Sequence, residues 1–139
     1  MLEDLLRGGF GKAERYNCAE RVLYGANLAY DLGLDKAACK LMAGFGGGMG
    51  VEATCGALCG AVAALSSIFV ADFAHESERI KLLSQELFRR FEAERGCIDC
   101  AALKRAYRDP ITGCDNIVFA VAAILDEIVS REAAARATA

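Results

Sequence analysis

The chain has 139 residues, 55% of them apolar, with one proline, no tryptophan and a net charge of −3. That length suffices for one domain with its own core, so folding needs no disulfide. Without a basic cluster or aromatic residues interleaved with basic ones, nucleic acid is excluded as an expected partner.

The predicted elements run in order. Residues 2–6 form one or two helical turns before Gly8-Gly9. Residues 13–32 read as a helix with Val22, Leu23, Ala26, Ala29 and Tyr30 along one apolar stripe. Its strongest start is Asn17-Cys18-Ala19-Glu20, where a capping Asn and a Glu three residues on form a capping-box pattern. Gly33 closes it. Asp35 caps a short helix over 36–42 that carries Cys39. Next comes Gly44-Phe45-Gly46-Gly47-Gly48-Met49-Gly50, five glycines in seven residues. Such a loop persists where the backbone bends sharply or lets something approach closely.

Thr54 caps the following helix, with Cys55 at its first position, and the helix runs to about Ala71. Gly56 and Gly60 flatten one flank. Residues 53–71 carry no charge and reach bilayer-spanning length. Their Ala, Gly, Ser and Cys content, with no Lys or Arg cluster beside them, favours a buried bundle helix over a membrane span. Residues 76–95 are amphipathic, with Ile80, Leu83, Leu87, Phe88 and Phe91 on one face. Gly96 ends that helix. Asp99 caps a short helix over 100–107, with Cys100 at its first position, and Asp109-Pro110 breaks it. Thr112-Gly113-Cys114-Asp115 starts the last helix, with Cys114 at its second position. That helix buries Ile117, Val118, Val121, Ile124, Leu125 and Ile128. Residues 133–139 are expected to fray. The predicted fold is all-α: one domain over 1–139, a bundle of five to seven helices with a glycine-rich loop.

Seven cysteines is a high count, and an odd one, so they cannot all pair within the chain. The start, Met1-Leu2-Glu3-Asp4-Leu5-Leu6-Arg7, is acidic and unlike a signal peptide. The expected compartment is the reducing cytoplasm, where thiols bind metals or catalyse.

Four cysteines, Cys18, Cys55, Cys100 and Cys114, share one arrangement: a capping residue, then Cys within the first helical turn. A helix N-terminus offers unpaired N–H groups and about half a positive charge. It can lower a cysteine pKa from about 8.5, favouring the thiolate that acts as nucleophile and as ligand. If the four converge, they suit an iron–sulfur cluster, with zinc the lesser alternative. They stand 37, 45 and 14 residues apart (18 to 55, 55 to 100, 100 to 114), which matches no compact motif. The site would exist only in the folded chain.

A metal-free dithiol is the rival. Cys97-Ile98-Asp99-Cys100 has the spacing of thiol–disulfide exchange. Cys55 and Cys100 are then the redox thiols, with Cys59 and Cys97 as their partners. A third reading makes the cysteines small apolar core residues. The chain would then be an interaction module, a homodimer through the small-residue face at Gly56 and Gly60. Cys39 and Cys59 suit that bland role best. His75, the only histidine, reads as a surface or capping residue, Glu20 and Glu52 as helix caps, and Tyr16 and Tyr24 as packing residues. The glycine loop fits neither the dinucleotide nor the P-loop pattern.

Tyr16-Asn17-Cys18-Ala19-Glu20, Gly44 to Gly50, Thr54-Cys55-Gly56-Ala57 with Gly60, and the late Cys100 and Cys114 together resemble the C_GCAxxG_C_C family of redox-active proteins. The resemblance covers residues 16–128. It implies a redox role and carries the family's four cysteines onto Cys18, Cys55, Cys100 and Cys114. The chain is also similar to a domain of split-Soret cytochromes, which implies a cysteine pocket holding an iron–sulfur centre. No C-x-x-C-H is present, so covalent haem is not expected. Cys39, Cys59 and Cys97 are extras to the pattern. The expected function is electron transfer, or a part in an oxidoreductase, with a redox partner protein, no nucleic acid and no membrane.

Overall fold

The apolar stripes turn onto one another in the computed structural model, which describes residues 1–138. Seven α-helices carry the chain: α1 (Leu2–Arg7), α2 (Cys18–Ala29), α3 (Lys36–Cys39), α4 (Gly56–Phe69), α5 (Arg79–Arg95), α6 (Cys100–Tyr107) and α7 (Asp115–Thr138). Short 3-10 turns at Lys40–Phe45 and Ala74–Glu76 and a π-like turn at Gly48–Glu52 link them. Among the described residues there is no strand, only two isolated bridges, Thr54 to Asp99 and Asp109 to Gly113. The fold is all-α, as the sequence predicts.

The uncharged helix α4 is the centre of the bundle. It packs most extensively on α2 and also on α5 and α7. Ala57, Leu58, Ala61, Ala64 and Leu65 are fully buried there. Burying one such leucine contributes about 1.5–3 kcal/mol. No helix among the described residues is long and apolar enough to cross a membrane. α5 presents Leu83, Leu87 and Phe91 to the core, and α7 presents Val118, Val121, Leu125 and Ile128. Gly96 caps α5 in the left-handed conformation (φ 83°), as expected.

α1 is short and has no capping side chain of its own. Asp126 on α7 takes that role. Its carboxylate accepts from the Leu2 and Glu3 amides at 2.9 Å each and from the Tyr30 hydroxyl at 2.6 Å. The first helix is thereby tied to the last.

Several boundaries differ from the sequence reading. Residues 13–16 are turn rather than helix, because Gly11 and Arg15 bend the chain through positive φ. α2 begins at Cys18 instead and ends at Ala29, before Gly33. α3 stops at Cys39 and tightens into 3-10 geometry up to Phe45. α7 is helical through Ala133 to Thr138, with Arg136 over the Phe69 ring. Residue 139 lies outside the described residues.

Candidate functional site

Each of the four cysteines stands at a helix start, and each start has its own local cause. Cys18 opens α2 behind a complete capping box. The Asn17 side chain accepts from the Glu20 amide, and the Glu20 carboxylate accepts from the Asn17 amide, both at 2.9 Å. Glu20 is thus a capping residue, as expected. The Asn17 amide group also donates to the Ala43 carbonyl at 3.0 Å, holding the glycine loop against α2. Gly46 permits this, since a Cβ there would lie 2.3 Å from the Asn17 side chain. The loop then turns through a left-handed run, with Gly47, Gly48, Met49 and Gly50 all near φ +60° to +72°.

Cys55 and Cys100 are joined by a two-bond clasp. The Cys55 amide donates to the Ile98 carbonyl at 2.8 Å, and the Cys100 amide donates to the Ala53 carbonyl at 2.6 Å. This corrects the expectation that Thr54 caps α4. Thr54 pairs with Asp99 across the clasp, and Cys55 itself occupies the cap position. Asp99 precedes α6 as expected, but its side chain makes no capping bond. Cys114 likewise sits one residue outside α7, its carbonyl accepting from Ile117 and Val118, rather than at the second helical position. The Asp109 carboxylate shapes that turn by accepting from the Ile111 and Thr112 amides at 2.7 and 3.0 Å.

These starts bring Cys18, Cys55, Cys100 and Cys114 onto one apolar cavity of about 20 Å³, with Leu103 and Ile117 as further wall. That is room for roughly one water. Two wider pockets share part of its wall. One, of about 240 Å³, is also lined by Lys104 and Arg108. The other, of about 200 Å³, is also lined by Lys12, Tyr16 and Arg21.

The remaining cysteines are elsewhere, and all seven are free thiols. Cys39 is fully buried in the core. Cys59 faces an apolar groove with Met42, Phe45 and Phe88. Cys97 directs its sulfur to the Arg95 carbonyl at 3.9 Å and is absent from the cavity wall. The flank at Gly56 and Gly60 is buried within the chain, with Ala19 and Val22 of α2 against Gly60 and Cys18 with the Phe45-Gly46 segment against Gly56.

The electrostatics reverse one expectation. Burial pushes the Cys55 thiol up to about 12. The neighbouring Cys18 and Cys100 add to this, and the Leu58 and Ala57 amides only partly oppose it. Burial likewise raises Cys100, against the pull of Lys104. It raises Cys114 too, with Cys18 adding and Arg108 and Lys104 opposing. The helix N-termini are present, but desolvation of the anion outweighs them. At neutral pH these three groups are protonated.

A pH dependence follows for Cys55. Its folded pKa lies above its unfolded one, so the neutral thiol contributes stability below about pH 9. That contribution is lost as pH rises toward 12. Urea unfolding at about pH 8 and about pH 11 should show wild type losing more stability than Cys55→Ala between the two. Equal losses would contradict the assignment.

Two features escaped the sequence reading. Lys104 on α6 and Arg108, the residue just past its end, flank the thiols. Arg21 is 5% exposed and donates to Asp115 at 2.7 Å, which joins the start of α2 to the start of α7. Arg21 lies three residues after Cys18 and Asp115 directly follows Cys114, but nothing local pairs them. Of the weaker candidates, Glu52 stands 3.8 Å from Lys104, His75 is exposed, and Tyr16 stacks on Tyr24 with centroids 4.2 Å apart.

A family model described as "Putative redox-active protein (C_GCAxxG_C_C)" matches residues 16–128, a span that contains the whole cysteine cavity. No curated protein and no solved structure matches the chain.

Proposed function

The chain belongs to the C_GCAxxG_C_C family, described as redox-active, and from that premise we propose that Cys18, Cys55, Cys100 and Cys114 form its redox centre as ligands of an iron–sulfur cluster. The carrying observation is their meeting on one apolar cavity from four separate helix starts. The donor set suits a cluster in kind and number. No three His, Cys, Asp or Glu side chains among the described residues converge on a point that a single ion could occupy. The cavity is smaller than a cluster, so loading requires the half-exposed Cys18 and Cys114 to yield.

A bound cluster supplies a one-electron couple. The chain supplies the rest. The Leu58 and Ala57 amides face the Cys55 sulfur, Lys104 and Arg108 offset negative charge, and Leu103, Ile117 and Val118 exclude water. Ligation releases the protons that burial otherwise keeps on the thiols. Free dithiol exchange gains less support. It needs an accessible thiolate, whereas Cys55 and Cys100 are buried and held neutral, and Cys97 lies outside the cavity.

Anaerobic reconstitution with iron and sulfide tests the proposal. The expected product has visible charge-transfer absorption and an EPR signal in one redox state. Serine at Cys18, Cys55, Cys100 or Cys114 should sharply reduce the iron retained; serine at Cys39, Cys59 or Cys97 should not. Wild-type protein that takes up no iron would refute the cluster.

A further inference from the structure

The larger of the two pockets beside the thiols has a volume of about 240 Å³. Lys104 and Arg108 form one side of it, Asn17 and Gly47 another, and Cys18, Cys100 and Cys114 also line it. Lys104 is on α6 and Arg108 is the residue that follows its last turn, with extended backbone, and both line this pocket.

The charge there is not balanced from within. Among the described residues the Arg108 guanidinium has no hydrogen bond or ion pair, and the carboxylates nearest in sequence are committed. Asp109 accepts from the Ile111 and Thr112 amides. Asp115 is held by Lys12 at 2.8 Å and Arg21 at 2.7 Å. Glu52 is 3.8 Å from Lys104. Elsewhere, by contrast, Arg79 and Arg131 meet glutamates at 2.8 and 2.7 Å. The pocket wall thus carries a guanidinium with no acceptor from the protein. A guanidinium matches paired oxygens, and a lysine beside it adds charge without fixing geometry.

We propose that this pocket binds a small oxyanion, held by Arg108 and Lys104 against the face of the Cys18, Cys100 and Cys114 side chains. Resting on the redox reading of those cysteines, it names the substrate class of that same centre: a few-atom anion with at least two oxygens, able to approach sulfur.

Calorimetric titration of the full chain, reduced and anaerobic, tests this with inorganic phosphate and thiosulfate as probes and chloride as reference. Saturable binding of at least one oxyanion is expected. Arg108→Gln should weaken it by roughly tenfold or more, the worth of a charge-assisted contact. Arg105→Gln, at an exposed position on α6 but off the pocket wall, should leave it unchanged. Cys55→Ser, off the wall of this pocket, should keep the anion while losing iron, which separates this proposal from the redox assignment. Binding of neither probe would overturn it, as would equal affinity in Arg108→Gln or equal weakening in Arg105→Gln. If Arg108→Gln alters only iron retention, the cations serve the thiolates alone and the proposal fails.

Discussion

Arg21→Ala is expected to lower the unfolding free energy by about 3–5 kcal/mol, the usual cost of leaving one member of a buried ion pair alone. Arg21 is 5% exposed, and its guanidinium is used on three sides. It donates to Asp115 at 2.7 Å, to the Phe10 carbonyl at 3.1 Å and to the Leu6 carbonyl at 3.4 Å. Lys12 still reaches Asp115 at 2.8 Å, which places the loss toward the lower end of that range. The acid limb of stability should change as well. Burial alone would raise the Asp115 carboxyl, but Lys12 and Arg21 together outweigh it and hold the group below the usual range. Its folded pKa is depressed. Its contribution is therefore complete above the ordinary carboxylate value of about 3.9 and is lost as pH falls through the folded one. Denaturant titrations at several pH values should show a shallower acid loss in Arg21→Ala than in wild type. A variant within about 1 kcal/mol of wild type at neutral pH would mean that the pair carries little. Arg21→Met combined with Asp115→Leu should recover much of the loss, because well-packed apolar residues often replace a buried pair without cost.

Gly56→Ala and Gly60→Ala should separate the site from the scaffold. At Gly60 a new Cβ would lie 2.6 Å from the Ala19 carbonyl oxygen and 3.0 Å from the Val22 Cβ. Backbone cannot rotate aside, so α2 and α4 must part, at about 1–3 kcal/mol for overpacking. Alanine's helix propensity returns up to about 1 kcal/mol of that. At Gly56 the new atom meets the Phe45 carbonyl oxygen at 2.6 Å and the Cys18 sulfur at 2.7 Å. Gly56→Ala should therefore displace one of the four sulfurs and reduce iron retention more than it reduces stability. Gly60→Ala should do the opposite. Thermal unfolding and iron content after reconstitution measure both. Identical behaviour of the two variants would show that Gly56 matters only for helix packing.

Much of the fold was legible because its causes are local. The Asn17–Glu20 capping box and the Asp35 cap each lie within four residues, and both form as read. The α5 stripe and its Gly96 stop depend only on helical periodicity and on glycine's access to positive φ. Where the reading slipped by one residue, a long-range contact had intervened. Thr54 is drawn into the bridge with Asp99, so α4 starts one residue later and Cys55 takes the cap. The small-residue flank was legible as a close-packing face, but not which helix would cover it. Here α2 does, from the same chain.

Taken alone, the amino-acid order determined that cysteines fall at four helix starts, since capping is settled by a residue and its near neighbours. It also determined the all-helical class, through apolar period and composition. Only the tertiary structure decided that these starts share a cavity. The bonds that align them, Cys55 to Ile98, Cys100 to Ala53 and Arg21 to Asp115, join segments far apart in the chain. It also decided the sign of the thiol shifts. A helix N-terminus acts over one turn and can be read locally. Desolvation depends on everything packed around the sulfur, and at Cys55 it prevails.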